Sequence, residues 1–148
     1  MKAYKIPQIR LSYVADVNVE EKFGKSSDAC AELLRSSFDE GEIDYRESFK
    51  VMYLSRSLKV LGIHTISMGG TSATPVDAKM IFSGALLANA QTIILCHNHP
   101  SGNLKPSPQD DNLTRRLVEA GKLLDLRITD HIILSNSGYY SYNDEGRI

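Results

Sequence analysis

Cysteine is scarce in this sequence, and the two that occur, Cys30 and Cys96, lie far apart with no CxxC spacing. This scarcity excludes a disulfide framework and a cysteine-based zinc site, and it fits a reducing cytoplasm. Long apolar stretches are missing as well. The N-terminal segment has none of signal-peptide length, and runs such as Ile93–Cys96 are too short to cross a bilayer. We therefore expect a cytoplasmic protein with no membrane segment.

The chain also lacks an excess of charge of either sign, with 17 Lys and Arg residues against 18 Asp and Glu residues. Any affinity for nucleic acid would have to come from a local patch of basic residues. The hydrophobic content of 42% and the charged content of 24% are ordinary for a globular protein. Because a length of 148 residues suits one hydrophobic core, we predict a single domain over residues 1–148.

Strand-like and helical spacings of apolar residues divide the first half of the chain. Strand-like residues occupy Ile9–Val14, and helical spacing predicts a helix over Ala29–Phe38. Two further strand patterns, Glu47–Leu54 and Lys59–Met68, flank the turn-like segment Ser55–Leu58. The sequence therefore predicts a β-hairpin in this region.

In the second half, two helix starts flank a buried strand. The string TPVD places Thr74 at the N-cap of a helix that runs to about Ala90. The apolar, β-branched run TIILC suits a strand buried on both faces. The string SPQD places Ser107 at the N-cap of a second helix that ends near Leu126, and the last residues predict two strands around a Ser-Gly turn. This alternation predicts an α/β domain, a mixed β-sheet flanked by helices in two or three layers.

The candidate chemistry lies directly after the TIILC strand. His97 and His99 are two residues apart, so extended backbone sends both imidazoles to the same side. Asp110, in the first turn of the next helix, can supply a third ligand to a catalytic zinc, which keeps a fourth position open for water. Each feature also has a plain structural reading, since His pairs occur in ordinary loops, and Ser107 with Asp110 resembles a capping box.

Taken together, these residues resemble a known motif. His97-x-His99, seven residues that begin with Pro100, and Ser107-x-x-Asp110 are similar to the JAMM (MPN/JAB) metalloprotease motif. The string HNHPSG, the later DHIIL and the tyrosines before Ser141 resemble the RadC-like branch of that superfamily. The similarity runs from about Ser27 to Ser141.

The resemblance implies a cytidine-deaminase-like JAB/MPN fold and a zinc ion bound by His97, His99 and Asp110. It further implies that Glu47 acts as general base on the metal-bound water and that Ser107 helps to hold the substrate carbonyl or oxyanion. From the residues alone, Ser107 is equally a helix N-cap. Glu42, in the acidic approach to the strand, is the nearest rival to Glu47.

The implied function is a zinc-dependent hydrolase of peptide or isopeptide bonds. Its substrate and oligomeric state stay open, and a His/His/carboxylate set also suits other divalent metals.

The alternative is a non-catalytic, DNA-repair-associated module that binds nucleic acid or protein. Longer members of the family carry an N-terminal helix-hairpin-helix region, and we expect none in the residues before Glu47. A nucleobase deaminase is disfavoured because the chain has no PCxxC pair. His131, which follows Asp130 in a strand-like stretch, could support the metal ligands, but it is read as structural because a lone histidine beside an apolar run more often packs in the core.

Overall fold

A computed structural model of the chain describes residues 7–10, 12–14, 25–69 and 75–148. Nine elements lie within these residues, in the order α1 (Ser27–Ser36), α2 (Glu42–Tyr45), β1 (Ser48–Leu54), β2 (Val60–Met68), α3 (Ala78–Leu87), β3 (Thr92–Asn98), α4 (Pro108–Leu123), β4 (Arg127–Ser135) and β5 (Gly138–Ser141). Over the described ranges, no helix combines the length and the apolarity that a membrane crossing requires.

The five strands form one mixed sheet in the order β2-β1-β3-β4-β5. Strands β3 and β4 are parallel, and the other neighbouring strands are antiparallel. Helix α4 supplies the crossover that a parallel pair of strands needs. This arrangement confirms the predicted α/β class with a mixed sheet flanked by helices, and it agrees with a JAB/MPN-like fold.

Alternate residues of the central strands form two apolar clusters, one on each face of the sheet. On one face, Val51 of β1 and Leu95 of β3 pack with side chains from α3 and α4. On the other face, Met52 of β1 and Ile94 of β3 pack against α1. The domain therefore has three layers, and every residue of β1 and β3 is buried. Because His97 has the same parity as Leu95, it lies on the face that α3 and α4 cover.

The predicted helix α1, the hairpin of β1 and β2, and the buried strand β3 are confirmed, but the start of α3 was predicted too early. The helix begins at Ala78 because the Asp77 side chain accepts a hydrogen bond from the backbone N–H of Lys79 at 2.9 Å and so acts as the N-cap. The predicted cap, Thr74, lies outside the described residues. The helix ends at Leu87 and does not reach Ala90, since Asn89 has a left-handed φ of 53°.

Helix α4 likewise ends earlier than predicted, at Leu123 and not near Leu126. Asp125 adopts a left-handed φ of 54°, which turns the chain back on the helix. The backbone N–H of Leu126 then donates to the carbonyl of Gly121 at 2.9 Å. A side chain at Gly121 would place its Cβ 2.4 Å from the carbonyl oxygen of Leu126, so glycine is required for this close approach.

The predicted strand over Ile9–Val14 is wrong for the residues of it that the structure describes, and its Leu11 lies outside them. Ile9 and Val14 are 89% and 72% exposed, so no apolar surface holds this segment against the sheet. The described residues of this segment contact β2 through the Tyr13 hydroxyl, which donates to the carbonyl of Leu61 at 2.5 Å. The single domain over residues 1–148 and the missing helix-hairpin-helix region stay predictions, because residues 15–24 are outside the described ranges.

Candidate metal centre

The end of β3 places two histidines side by side. His97 is only 2% exposed, and its ring stacks on that of Phe49 in β1 with centroids 6.1 Å apart. The backbone N–H of His99 donates to the carbonyl of Leu134 at 2.8 Å, which extends the pairing with β4 by one residue. Both imidazoles therefore point the same way, as period-two geometry predicted, and their Nε2 atoms lie 2.9 Å apart.

Asp110, in the first turn of α4, brings a carboxylate to the same point. Its Oδ1 lies 3.3 Å from Nε2 of His97, and its Oδ2 lies 3.7 Å from Nε2 of His99. Oδ2 also accepts the backbone N–H of Ser107 at 2.7 Å, while the Ser107 hydroxyl accepts the backbone N–H of Asp110 at 3.1 Å. The capping box is thus present, and it holds the carboxylate against the histidines. Asp110 can serve both as a metal ligand and as a member of the capping box, because a carboxylate has two oxygens.

The donor set fits a divalent metal. The ligand atoms of His97, His99 and Asp110 all lie within 4.8 Å of one another. No other group of three or more such side chains occurs in the described part of the chain. The side chains of His99 and Asp110 are 17% and 14% exposed, so the cluster is open on one side. Two imidazoles, one carboxylate and an open side are typical of a catalytic zinc site.

The contacts of His99 prepare it to bind through Nε2. Its Nδ1 lies 2.5 Å from the backbone carbonyl of Asn103, and since a carbonyl only accepts, Nδ1 carries the hydrogen. The hydrogen bond to Asp110 is the largest of several effects that raise the pKa of His99. Burial alone would raise the pKa of Asp110, but its contacts with the imidazoles of His97 and His99 hold that pKa well below its usual range. The metal-free cluster therefore pairs a carboxylate with a readily protonated imidazole.

Glu47 and Ser107 line the same cavity as the three candidate ligands, a space of about 430 Å³. Glu47 is half-buried and immediately precedes β1, and its negative charge contributes to the raised pKa of His99. Its rival Glu42 is engaged elsewhere: its carboxylate accepts the Ser48 hydroxyl at 2.9 Å and the Asp39 backbone N–H at 3.0 Å. The structure therefore brings Glu47 to the cavity and leaves Glu42 in a structural contact.

His131, which sequence reasoning treated as structural, is a direct neighbour of the cluster. It is fully buried in β4, and its Nε2 lies 2.8 Å from Nδ1 of His97. On its other side, Nδ1 lies 2.6 Å from the hydroxyl of Thr114 in α4. Nothing in the local sequence distinguishes His131 from a packing residue, because its position depends on the register between β3 and β4.

Asn98, between the two histidines, was also missed, and it holds the segment that carries Glu47. Its side chain is fully buried, and its Oδ1 accepts the backbone N–H of Ser48 at 2.8 Å. Its Nδ2 donates to the carbonyls of Ile43 and Arg46, each at 2.8 Å. The amide thus uses both hydrogens and its oxygen to fix the backbone on either side of Glu47.

We expect Asn98→Ala to lower the free energy of unfolding by at least about 2 kcal/mol, because each buried polar group left without a partner costs about 1–3 kcal/mol. Urea unfolding of the metal-free protein followed by circular dichroism measures the change. The matched variant Asn112→Ala, on the exposed surface of α4, should change stability by no more than about 0.5 kcal/mol. Equal stabilities of the two variants would show that the Asn98 contacts contribute little.

The chain is similar to a known domain family and to several curated proteins. The family model for a RadC-like JAB domain matches residues 24–147. A UPF0758 protein of Flavobacterium johnsoniae is 43% identical over 106 residues, which cover 72% of this chain and 46% of the relative. Similar proteins of the same name occur in Thermotoga maritima, 39% identical over 103 residues (70% of this chain, 46% of the relative), and in Alkaliphilus metalliredigens, 39% identical over 121 residues (82% and 51%).

The chain spans about half the length of these curated relatives. The family match, in contrast, covers the whole of the sheet and all four helices, including the HxH segment and the first turn of α4. On this match and these identities, the chain belongs to the family of RadC-like JAB domains.

Proposed function

We propose that this domain is a zinc-dependent hydrolase of peptide or isopeptide bonds. The observation that carries the proposal is the convergence of His97, His99 and Asp110 with Glu47 and Ser107 around one cavity. Zinc is preferred to other divalent metals on the resemblance to the JAMM enzymes, since the donor set itself suits several metals.

The side chains around the cavity have the chemistry that amide hydrolysis needs. A bound zinc ion lowers the pKa of a water molecule and polarises a carbonyl group. The Glu47 carboxylate accepts the proton that the attacking water loses, and it returns a proton to the amide nitrogen as the C–N bond breaks. The Ser107 hydroxyl caps α4 through an oxygen lone pair, which leaves its O–H free to donate to the substrate carbonyl oxygen.

A direct test is hydrolysis of a panel of fluorogenic peptides and lysine-linked isopeptides by the zinc-loaded protein. We expect cleavage of at least one class of substrate, loss of cleavage on treatment with a zinc chelator, and recovery when zinc is added back. Cleavage that survives the chelator, or no cleavage by protein shown to hold zinc, would count against the proposal.

Zinc affinity should also depend on pH in a defined direction. The pKa of His99 is raised in the metal-free cluster, and zinc binds only the unprotonated imidazole. Protons therefore compete more strongly as the pH falls, and affinity should drop by up to about tenfold per pH unit once His99 is protonated. Asp110 stays ionised over this range and adds no further dependence. Calorimetric titration in buffers of different pH measures the effect, and an affinity unchanged from alkaline to mildly acidic pH would contradict it.

The alternative of nucleic-acid binding stays a prediction without a specific supporting contact. A second groove, of about 850 Å³, runs along α4 and the start of β4. It mixes basic side chains such as Arg115 and Lys122 with acidic ones such as Glu119 and Asp125. The test of this alternative is the affinity for nucleic acid, measured over a range of salt concentrations. Binding through phosphate contacts would weaken steeply as the salt concentration rises.

A further inference from the structure

We propose that His131 and Thr114 are positioning residues that fix the tautomer of His97 in which Nε2 is free to bind the metal. The inference rests on the metal site of the proposed function, but it concerns metal binding and not hydrolysis. It is carried by a chain of three hydrogen bonds that begins at one candidate ligand, His97, and ends at the backbone of another, Asp110.

The last of these three hydrogen bonds determines which atom is the donor in the one before it. The Thr114 hydroxyl lies 2.6 Å from the backbone carbonyl of Asp110, and a carbonyl only accepts. The single hydroxyl hydrogen of Thr114 is therefore used in this bond. The contact between the Thr114 oxygen and Nδ1 of His131, also 2.6 Å, must then be donated by Nδ1–H of His131.

The same reasoning extends to His97. The His131 ring is fully buried, stacked on Tyr142 with centroids 5.1 Å apart and in edge contact with Phe49 at 5.7 Å. Nε2 of His97 is the ring nitrogen that lies against Asp110 and His99, so it is the nitrogen placed to bind the metal. An imidazole that binds a metal through Nε2 has its one hydrogen on Nδ1, and this N–H donates to Nε2 of His131 at 2.8 Å.

The free Nε2 of His97 is the nitrogen that faces the rest of the cluster. It lies 3.3 Å from Oδ1 of Asp110 and 2.9 Å from Nε2 of His99. The chain of bonds also crosses three elements, from β3 through β4 to α4. It therefore sets both the protonation pattern of His97 and the position of the first turn of α4, which carries Asp110.

The test is the zinc dissociation constant, measured at fixed pH by competition with a chromophoric chelator. His131→Leu and Thr114→Val should each weaken zinc binding by about 10–100-fold, the usual effect of removing a hydrogen-bond partner of a metal-binding histidine. His131→Gln offers a carbonyl oxygen to Nδ1–H of His97, so it should stay within about threefold of the wild type. The matched control is His64→Leu, a half-buried histidine of β2 outside the cavity.

If His131 had only a structural role, the glutamine and leucine variants would not differ in zinc affinity. The ¹⁵N NMR spectrum of the wild-type imidazoles is a second readout that needs no substitution, and His97 should show a protonated Nδ1 and an unprotonated Nε2. Equal affinities in the wild type, His131→Leu and Thr114→Val, a glutamine variant as weak as leucine, or the opposite His97 tautomer would each overturn the inference. Zinc-loaded protein that never cleaves a substrate would refute the proposed hydrolase and leave this result intact, whereas a wild type that binds no zinc would refute both.

Discussion

His97→Ala is expected to weaken zinc binding by about 10²–10⁴-fold, since one of three protein ligands carries a share of the binding free energy worth several kcal/mol. The physical reason is that His97 is the most buried of the three ligands, held between Phe49 and His131 with its Nε2 directed at Asp110. Mass spectrometry of protein purified without chelator gives the zinc content, and competition with a chelator gives the affinity.

Alanine at position 97 also removes ring contacts in the core, so a second substitution separates metal binding from folding. Asp110→Asn keeps an oxygen that accepts the backbone N–H of Ser107, and the helix cap survives. It removes the negative charge next to both histidines, and zinc content should again fall. Asp111→Asn is the matched control, because Asp111 contacts Tyr142 and Arg147 and not the cluster. Normal zinc in both His97→Ala and Asp110→Asn would contradict the assignment of the ligands.

Glu47→Gln is expected to reduce turnover by about 10²–10⁴-fold, the usual effect of losing a general base, with zinc affinity nearly unchanged. Glutamine has a similar shape but cannot accept the proton of the attacking water. Glu47 lies at the cavity but outside the three-residue donor cluster, so its substitution separates catalysis from metal binding. The measurement is kcat on a substrate that the zinc-loaded wild type cleaves.

Glu42→Gln tests the rival carboxylate. Glu42 accepts hydrogen bonds from Ser48 and Asp39, so its substitution should lower stability while kcat stays close to that of the wild type. If Glu47→Gln kept full turnover, or if Glu42→Gln abolished it in a folded protein, the assignment of Glu47 as the base would be wrong.

Local spacing was enough to predict the parts of the site that depend on neighbouring residues. The side-by-side arrangement of His97 and His99 follows from strand periodicity, and the place of Asp110 follows from the helix start at Ser107. Glu47 came from the resemblance to a family and not from its surroundings in the sequence. Its arrival at the same cavity depends on the antiparallel pairing that sets Phe49 opposite His97.

The residues that sequence reasoning missed are those whose partners are distant along the chain. His131 contacts His97 across 34 positions, and Asn98 contacts Ser48 across 50. Strand periodicity predicts which face a side chain occupies, but it does not say what lies opposite on a neighbouring element. Both polar groups therefore had no local feature that separated them from ordinary core residues.

The errors in element boundaries have a related cause. The TPVD string contains two residues that can cap a helix, and Asp77 fills the role that the sequence assigned to Thr74. The strand-like residues around Ile9 and Val14 have the right composition, but the side chains of Ile9 and Val14 are largely exposed. Composition indicates a tendency to form strands, whereas pairing and burial decide whether a strand forms.

The measurement that tests the metal site most directly is anomalous X-ray scattering at the zinc absorption edge, from crystals of protein purified without chelator. The site described above predicts a single strong peak within coordination distance of Nε2 of His97, Nε2 of His99 and the carboxylate of Asp110. A peak at another position, or no peak at these three side chains in a well-ordered crystal soaked with zinc, would contradict it.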